Sequence, residues 1–181
     1  MLSKTKTIEA VQTMGDLFPD AHCELNHRNA FELLIATILS AQATDVGVNK
    51  VTPKLFERYP SPVHLAAASE EGVIECIQSL GLYRSKAKNI RLCAQQLMER
   101  FDGEVPKTRE ELVSLAGVGR KTANVVMSVA FNIPAFAVDT HVERVAKMFG
   151  LAELTDSPLQ VEKSLMSVFP MESWGKIHHQ L

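Results

Sequence analysis

Cysteine is scarce in this chain. Cys23, Cys76 and Cys93 are the only three in 181 residues, an odd number, widely spaced and without a C-x-x-C pair. Neither a disulfide framework nor a cysteine-rich metal site is supported. Long apolar runs are lacking too. The longest stretch without a charge, Thr122 to Val138, is broken by Asn124, Asn132 and Pro134, and is too short to span a membrane. The first ten residues carry Lys4, Lys6 and Glu9 and no apolar segment, so no secretory leader is legible and a cytoplasmic address is expected. There is no low-complexity linker, no strict long-period repeat and no alternating strand pattern longer than a few residues. Apolar residues at 46% and charged residues at 22% exclude disorder, coiled coil and collagen.

The net charge is only -2, but it is unevenly distributed. Gly81 to Gly150 holds eleven Lys/Arg against seven Asp/Glu, leaving eight against fourteen elsewhere. Arg84, Lys86, Lys88 and Arg91 follow one another with no acidic residue between Gly81 and Leu92. Such a strip is either a solvated helix face or a track for a nucleic-acid backbone.

What is present is helical periodicity. Phe31 to Leu39 is almost continuously apolar, which predicts a helix buried on most sides. Ala87, Ile90, Ala94, Leu97, Met98 and Phe101 form one apolar stripe; Ala123, Val126, Met127 and Ala130 form another. Thr108 with Glu111 reads as a capping box. Pro53 is expected near the start of a helix over 46–59, where proline is tolerated best, with Asp45 as its N-cap. About ten short helices joined by tight loops are predicted.

The most informative segment runs from Leu112 to Asn124. A helix should end near Ala116; Gly117, Val118 and Gly119 then turn, and a new helix starts at Arg120 or Lys121. The first turn of that helix, with its N–H donors and positive dipole end, suits a phosphate. A plain glycine turn between packed helices is the alternative. Lys121 stands beside Arg120 at that positive end, and a neutral amine is a nucleophile fit for Schiff-base chemistry; a surface lysine touching phosphate would look the same. Asp139, in Val138-Asp-Thr-His-Val142, reads both as the N-cap of a helix and as a carboxylate able to steer a nucleophile or stabilise a cationic sugar.

Taken together, Leu115-Ala-Gly-Val-Gly-Arg-Lys-Thr-Ala123 and Val138-Asp-Thr-His-Val142, with Leu39-Ser-Ala-Gln-Ala-Thr-Asp45, Gly81-Leu-Tyr-Arg-Ser-Lys-Ala87 and Asp102-Gly-Glu-Val-Pro106, closely resemble the endonuclease III family of helix-hairpin-helix DNA glycosylases. The resemblance runs from about Glu24 to the last residue and implies an all-α, two-lobed fold with a cleft between the lobes. Residues 23–133 would form a helical barrel carrying the hairpin at about 108–131. Residues 1–22 with 134–181 would form the second lobe, and Lys121 and Asp139 would meet at the cleft mouth.

The implied activity is base excision repair: a DNA glycosylase with apurinic/apyrimidinic lyase activity that removes oxidised pyrimidines from duplex DNA. By resemblance, Lys121 attacks C1′ of the damaged nucleotide and Asp139 assists; a Schiff base forms, and β-elimination expels the 3′ phosphate. A base inside the stack is out of reach, so the nucleotide must be flipped. Gln42 would then fill the vacated space and Leu82 would wedge into the opposite strand; otherwise they are a polar helix end and a core leucine. Gly117, Val118, Gly119, Arg120 and Thr122 would hold the backbone, with Arg84 and Lys86 as further DNA contacts.

The implied partner is double-stranded DNA carrying damaged pyrimidines or abasic sites, met by a monomer in the bacterial cytoplasm and held to the nucleoid through DNA, with no membrane. The family's [4Fe-4S] cluster sits on four closely spaced cysteines beyond the last shared helix. No such cysteines occur here, so the chain reads as stopping before the cluster-binding loop, with no metal ligands of its own. A noncatalytic helix-hairpin-helix DNA-binding module, or an inactive short form, is the competing reading.

Overall fold

The computed structural model describes residues 9, 11, 13 and 15–180. Of residues 1–22, assigned by resemblance to the second lobe, positions 1–8, 10, 12 and 14 lie outside them. Among the described residues there is no strand, and the all-α expectation holds. The chain divides into two compact units, Glu24–Val126 and Met1–Cys23 with Met127–Leu181, whereas the resemblance implies a division after residue 133.

In the first unit, α1 (Ala30–Leu39) starts where the Asn29 side chain accepts the Glu32 N–H at 2.9 Å. Every residue from Phe31 to Leu39 is buried, as the unbroken apolar run predicts. Its two polar members are satisfied. Thr37 donates its hydroxyl to the Leu33 carbonyl at 2.7 Å. The Glu32 carboxylate accepts the Arg28 backbone N–H at 2.8 Å and its guanidinium at 2.6 Å.

Helix α2 (Asp45–Arg58) corrects two expectations. Its N-cap is Thr44, whose hydroxyl oxygen accepts the Gly47 N–H at 3.1 Å, and Asp45 is the first helical residue. A carboxylate there still suits the positive helix end. Pro53 lies in the interior of the helix, past its middle. Leu55 and Phe56, both buried, hold that turn down by packing, which offsets the missing N–H bond.

Helices α3 (Pro62–Ala66) and α4 (Glu70–Ile77) pack on the long α5 (Tyr83–Phe101). Gln95 Nε2 donates to the Ala66 carbonyl at 3.3 Å, and Arg91 Nε to that of Ala68 at 2.7 Å. The buried face of α5 is Lys86, Ala87, Ile90, Cys93, Ala94 and Leu97. It is rotated relative to the predicted stripe, because Met98 is 37% exposed. The basic strip is therefore not one surface track. Arg84 and Lys88 are exposed, Arg91 is tied to the loop after α3, and Lys86 is only 4% exposed. The short α6 (Arg109–Val113) and α7 (Arg120–Phe131) follow.

The second unit contains α8 (Thr140–Met148), α9 (Pro158–Val168), a 3-10 turn (Met171–Ser173) and α10 (Trp174–Gln180). Its core gathers Val11, Phe136, Val142, Val161, Leu165 and Ile177. Ser157 and Gln160 form a full capping box at the start of α9. At Thr108 the expected box is altered: Glu111 Oε2 accepts the Thr108 hydroxyl at 2.6 Å, while that hydroxyl oxygen accepts the Glu111 N–H at 3.3 Å. Among the described residues no helix is long and apolar enough to cross a membrane.

Lys86 is the anomaly of this architecture. Its Nζ is buried with no hydrogen-bond partner among the described residues, and burial pushes its pKa below the ordinary lysine value. The unfolded chain then holds this proton to higher pH than the folded chain does. Stability is reduced below the folded pKa and recovers as pH rises toward the unfolded value. Lys86→Met should raise stability at neutral pH by about 1–3 kcal/mol and flatten the alkaline rise; chemical denaturation at a series of pH values measures both. A variant less stable than the parent would show that the amine has a partner in solution.

Candidate nucleic-acid interface and catalytic residues

Two loops of the first unit approach each other. One follows α1 and carries Gln42; the other precedes α5 and carries Leu82. A Cβ on Gly81 would stand 4.0 Å from the Gln42 carbonyl oxygen. Four non-glycine residues among those described have positive φ: Gln42 at 53°, Leu82 at 57°, Asp102 at 51° and Asn132 at 52°.

The last two have a local reason. Asp and Asn tolerate this backbone, and each follows the last residue of a helix, with the Gly103 and Ile133 N–H groups returning to the Leu97 and Met127 carbonyls. Leucine and glutamine have no such affinity for the left-handed region. Strain of this kind, about 1–3 kcal/mol per residue, concentrates at functional sites. Leu82 is 58% exposed, which removes the core-leucine alternative, and Gln42 is exposed as well. The strain aims an apolar side chain outward from one loop and an amide from the other.

The hairpin lies in the same unit. Helix α6 ends at Val113, earlier than the expected Ala116, because Ser114 donates its hydroxyl to the Glu111 carbonyl at 2.6 Å and caps it. Residues 114–119 make the turn. Gly117 has φ +77°, and a Cβ there would meet Asn89 Cβ and Ile38 Cγ2 at 3.0 Å, so both conformation and space require glycine. Gly119 differs: a Cβ would find nothing within 4 Å. Among the described residues nothing crowds a side chain at 119, and the position stands open.

Val118 is buried and donates its N–H to the Leu115 carbonyl at 3.2 Å, so its side chain anchors the turn from within. The Ala123 N–H returns to the Gly119 carbonyl at 2.9 Å, which starts α7. Arg120 is exposed, and Lys121 and Thr122 are half-buried on its first turn. Asn124, fully buried, accepts Arg109 Nε at 2.8 Å and ties the two hairpin helices together. A lone Asn inside an apolar stripe is the visible signal of this pair in the sequence. Of the basic residues assigned to DNA, Arg84 is exposed beside Tyr83, its guanidinium 5.8 Å from the ring centroid. Lys86 is buried, which corrects its assignment to the surface.

In the second unit, the buried segment Ala135–Val138 leads into Asp139. One carboxylate oxygen, Oδ1, accepts the N–H groups of His141 and Val142, both at 2.9 Å, making Asp139 the N-cap of α8. The two bonds fix its orientation. His141 is exposed, with Nδ1 3.2 Å from Arg144 Nη2.

The described residues do not fit an iron–sulfur cluster, which needs four ligands. Cys76 and Cys93 are buried in the first unit and Cys23 belongs to the second. Burial pushes the Cys93 thiol up to about 12. No group of three or more His, Cys, Asp or Glu among the described residues is placed to hold a metal ion.

Residues 35–171 match the model of the HhH-GPD superfamily base excision DNA repair proteins. The chain belongs to that superfamily. It is 54% identical over 177 residues to endonuclease III of Bacillus subtilis, covering 97% of this chain and 81% of that one. It superposes with a TM-score of 0.97, at 54% identity, on a trapped endonuclease III–DNA covalent intermediate and on a non-covalent endonuclease III–DNA complex. Each superposition covers 99% of this chain and 84% of the other. The chain is thus a base excision repair protein of the endonuclease III group.

The two glycines differ in what a substitution would meet. Gly117→Ala should cost about 1–3 kcal/mol of stability through strain and crowding. Gly119→Ala should cost under about 1 kcal/mol, the difference between the two residues at a helix start, while weakening DNA binding. Thermal unfolding and fluorescence anisotropy on the same two proteins read both. Equal stability losses would show that Gly119 is held by the fold after all.

Proposed function

We propose that this DNA glycosylase and AP lyase removes oxidised pyrimidines from duplex DNA, with Lys121 as nucleophile and Asp139 as the assisting carboxylate. The observation that carries the reading is the position of Lys121: on the first turn of α7, directly after a hairpin whose Gly119 stands open to an approaching backbone. Phosphate held by the hairpin would bring an adjacent sugar to this amine.

The Lys121 nitrogen bonds to C1′ as the glycosidic bond breaks, and the base leaves with the bonding electron pair and is protonated. The sugar opens to a Schiff base. The 2′ proton is then lost, and its C–H electrons form the double bond that expels the 3′ phosphate. Asp139, oriented by its two cap bonds, takes up the proton released on attack and supports the cationic sugar. Gln42 and Leu82 serve the flipped state: the amide fills the space the nucleotide leaves, and the exposed leucine offsets lost stacking.

Borohydride trapping on an abasic-site duplex tests the chemistry. The parent should yield a covalent adduct and Lys121→Ala none; an adduct that survives the substitution rejects Lys121 as nucleophile. Asp139→Asn keeps an acceptor for the two cap N–H groups, so its stability should stay within about 0.5 kcal/mol of the parent. Base release should fall by about two to four orders of magnitude. Base release at the parental rate would leave Asp139 a cap only.

A further inference from the structure

The hairpin turn is seated on one face of α5 in antiparallel register. Asn89 lies under Gly117, its Cβ 3.0 Å from where a Cβ of Gly117 would stand. Two turns on, Gln96 Oε1 accepts the Ala116 N–H at 2.7 Å. One further turn on, Arg100 Nη2 donates to the Ser114 hydroxyl at 2.9 Å. Positions 89, 96 and 100 share a helix face. The opposite side of α5 is held elsewhere, through Arg91 and Gln95 on the Ala68 and Ala66 carbonyls. The N-cap of this same helix is Leu82. One rigid rod therefore carries the outward leucine at its end and the hairpin turn along its side, about 10 to 27 Å away at 1.5 Å per residue.

We propose that α5 sets the spacing between the Leu82 wedge and the phosphate-holding hairpin, and that Gln96 is the positioning residue that fixes the hairpin on it. The inference rests on the DNA-binding role proposed for the hairpin. Gln96 suits the task because its carbonyl oxygen reaches a backbone N–H that the turn itself leaves without a helical acceptor. Removing that acceptor frees the turn to shift while Asn124 and Arg109 still join the two hairpin helices. The phosphate contact loosens, whereas Lys121, on the far side of the turn, keeps its helix.

The test compares Gln96→Met with Gln95→Met, which removes a hydrogen bond from the same helix on its other side. Binding to a duplex with a tetrahydrofuran abasic-site analogue is read by anisotropy across a salt series. Gln96→Met should raise Kd about five- to tenfold and lower the slope of log K against log salt by about one, as for a lost phosphate contact. Borohydride-trapped adduct on an abasic-site duplex at saturating DNA should stay within about twofold of the parent, since the nucleophile is untouched. Gln95→Met should leave Kd and slope unchanged.

Parental Kd and slope in Gln96→Met overturn the positioning role alone, and so does an equal change in Gln95→Met. A parent protein without salt-dependent binding overturns the hairpin reading with it. If Gln96→Met does not fold, Ser114→Ala removes the exposed end of the same register. It should weaken binding about twofold with a lower slope, and no change there overturns the proposal.

Discussion

With φ +77° and no space for a Cβ, Gly117 brings the hairpin backbone into direct contact with Asn89 and Ile38. The rest of the candidate interface in the first unit depends on that approach. A side chain there would lift residues 114–119 off α5 and break the Ala116–Gln96 bond. Gly119, Arg120 and Lys121 would then present themselves from a different place. A core position decides where a surface chemistry stands, because α1 and α5 are themselves immobilised by a close-packed interior. Leu33, Leu34, Ile35 and Leu39 of α1, and Ile90 and Leu97 of α5, are all buried in it.

Strain and packing divide the work around this contact. The left-handed backbones of Gln42 and Leu82 are tolerated because the helices on either side are locked: α1 by burial of nearly its whole surface, α5 by its bonds to the loops after α3 and within the hairpin. An exposed leucine in such a conformation is unfavourable in the free protein on two counts, apolar exposure and backbone strain. Both costs fall on a position the sequence motif singles out. Asp139 is economical by comparison: its two cap bonds stabilise α8 and orient the carboxylate at once.

Much of this was legible beforehand. The continuous apolar run at 31–39 announced a helix buried all round. Gly117 and Gly119 announced the turn, and Asp139 announced the cap of α8. The misses have physical causes. Asp45 reads as a cap because its carboxylate can accept an N–H, but the neighbouring Thr44 hydroxyl can do the same, and only the path of the chain shows which residue has left the helix. Pro53 was placed near a helix start because its local cost is lowest there, yet packing of Leu55 and Phe56 holds it in the interior. The two glycines look alike in sequence, but only Gly117 meets other atoms.

The sequence by itself determined the chemical groups and the helical periodicity, since those follow from residue identity and spacing along one chain. It also carried the family, through motifs whose order cannot be rearranged. Tertiary structure alone decided which side of the surface each residue falls on. Lys86 and Arg84 are near neighbours in one basic strip, yet one is buried and the other exposed. Leu82 looks like core and stands in solvent. Gln96 is an unremarked polar residue until the hairpin lies over it. Burial depends on what other segments lie opposite, and that is a property of the packed chain rather than of any stretch of it.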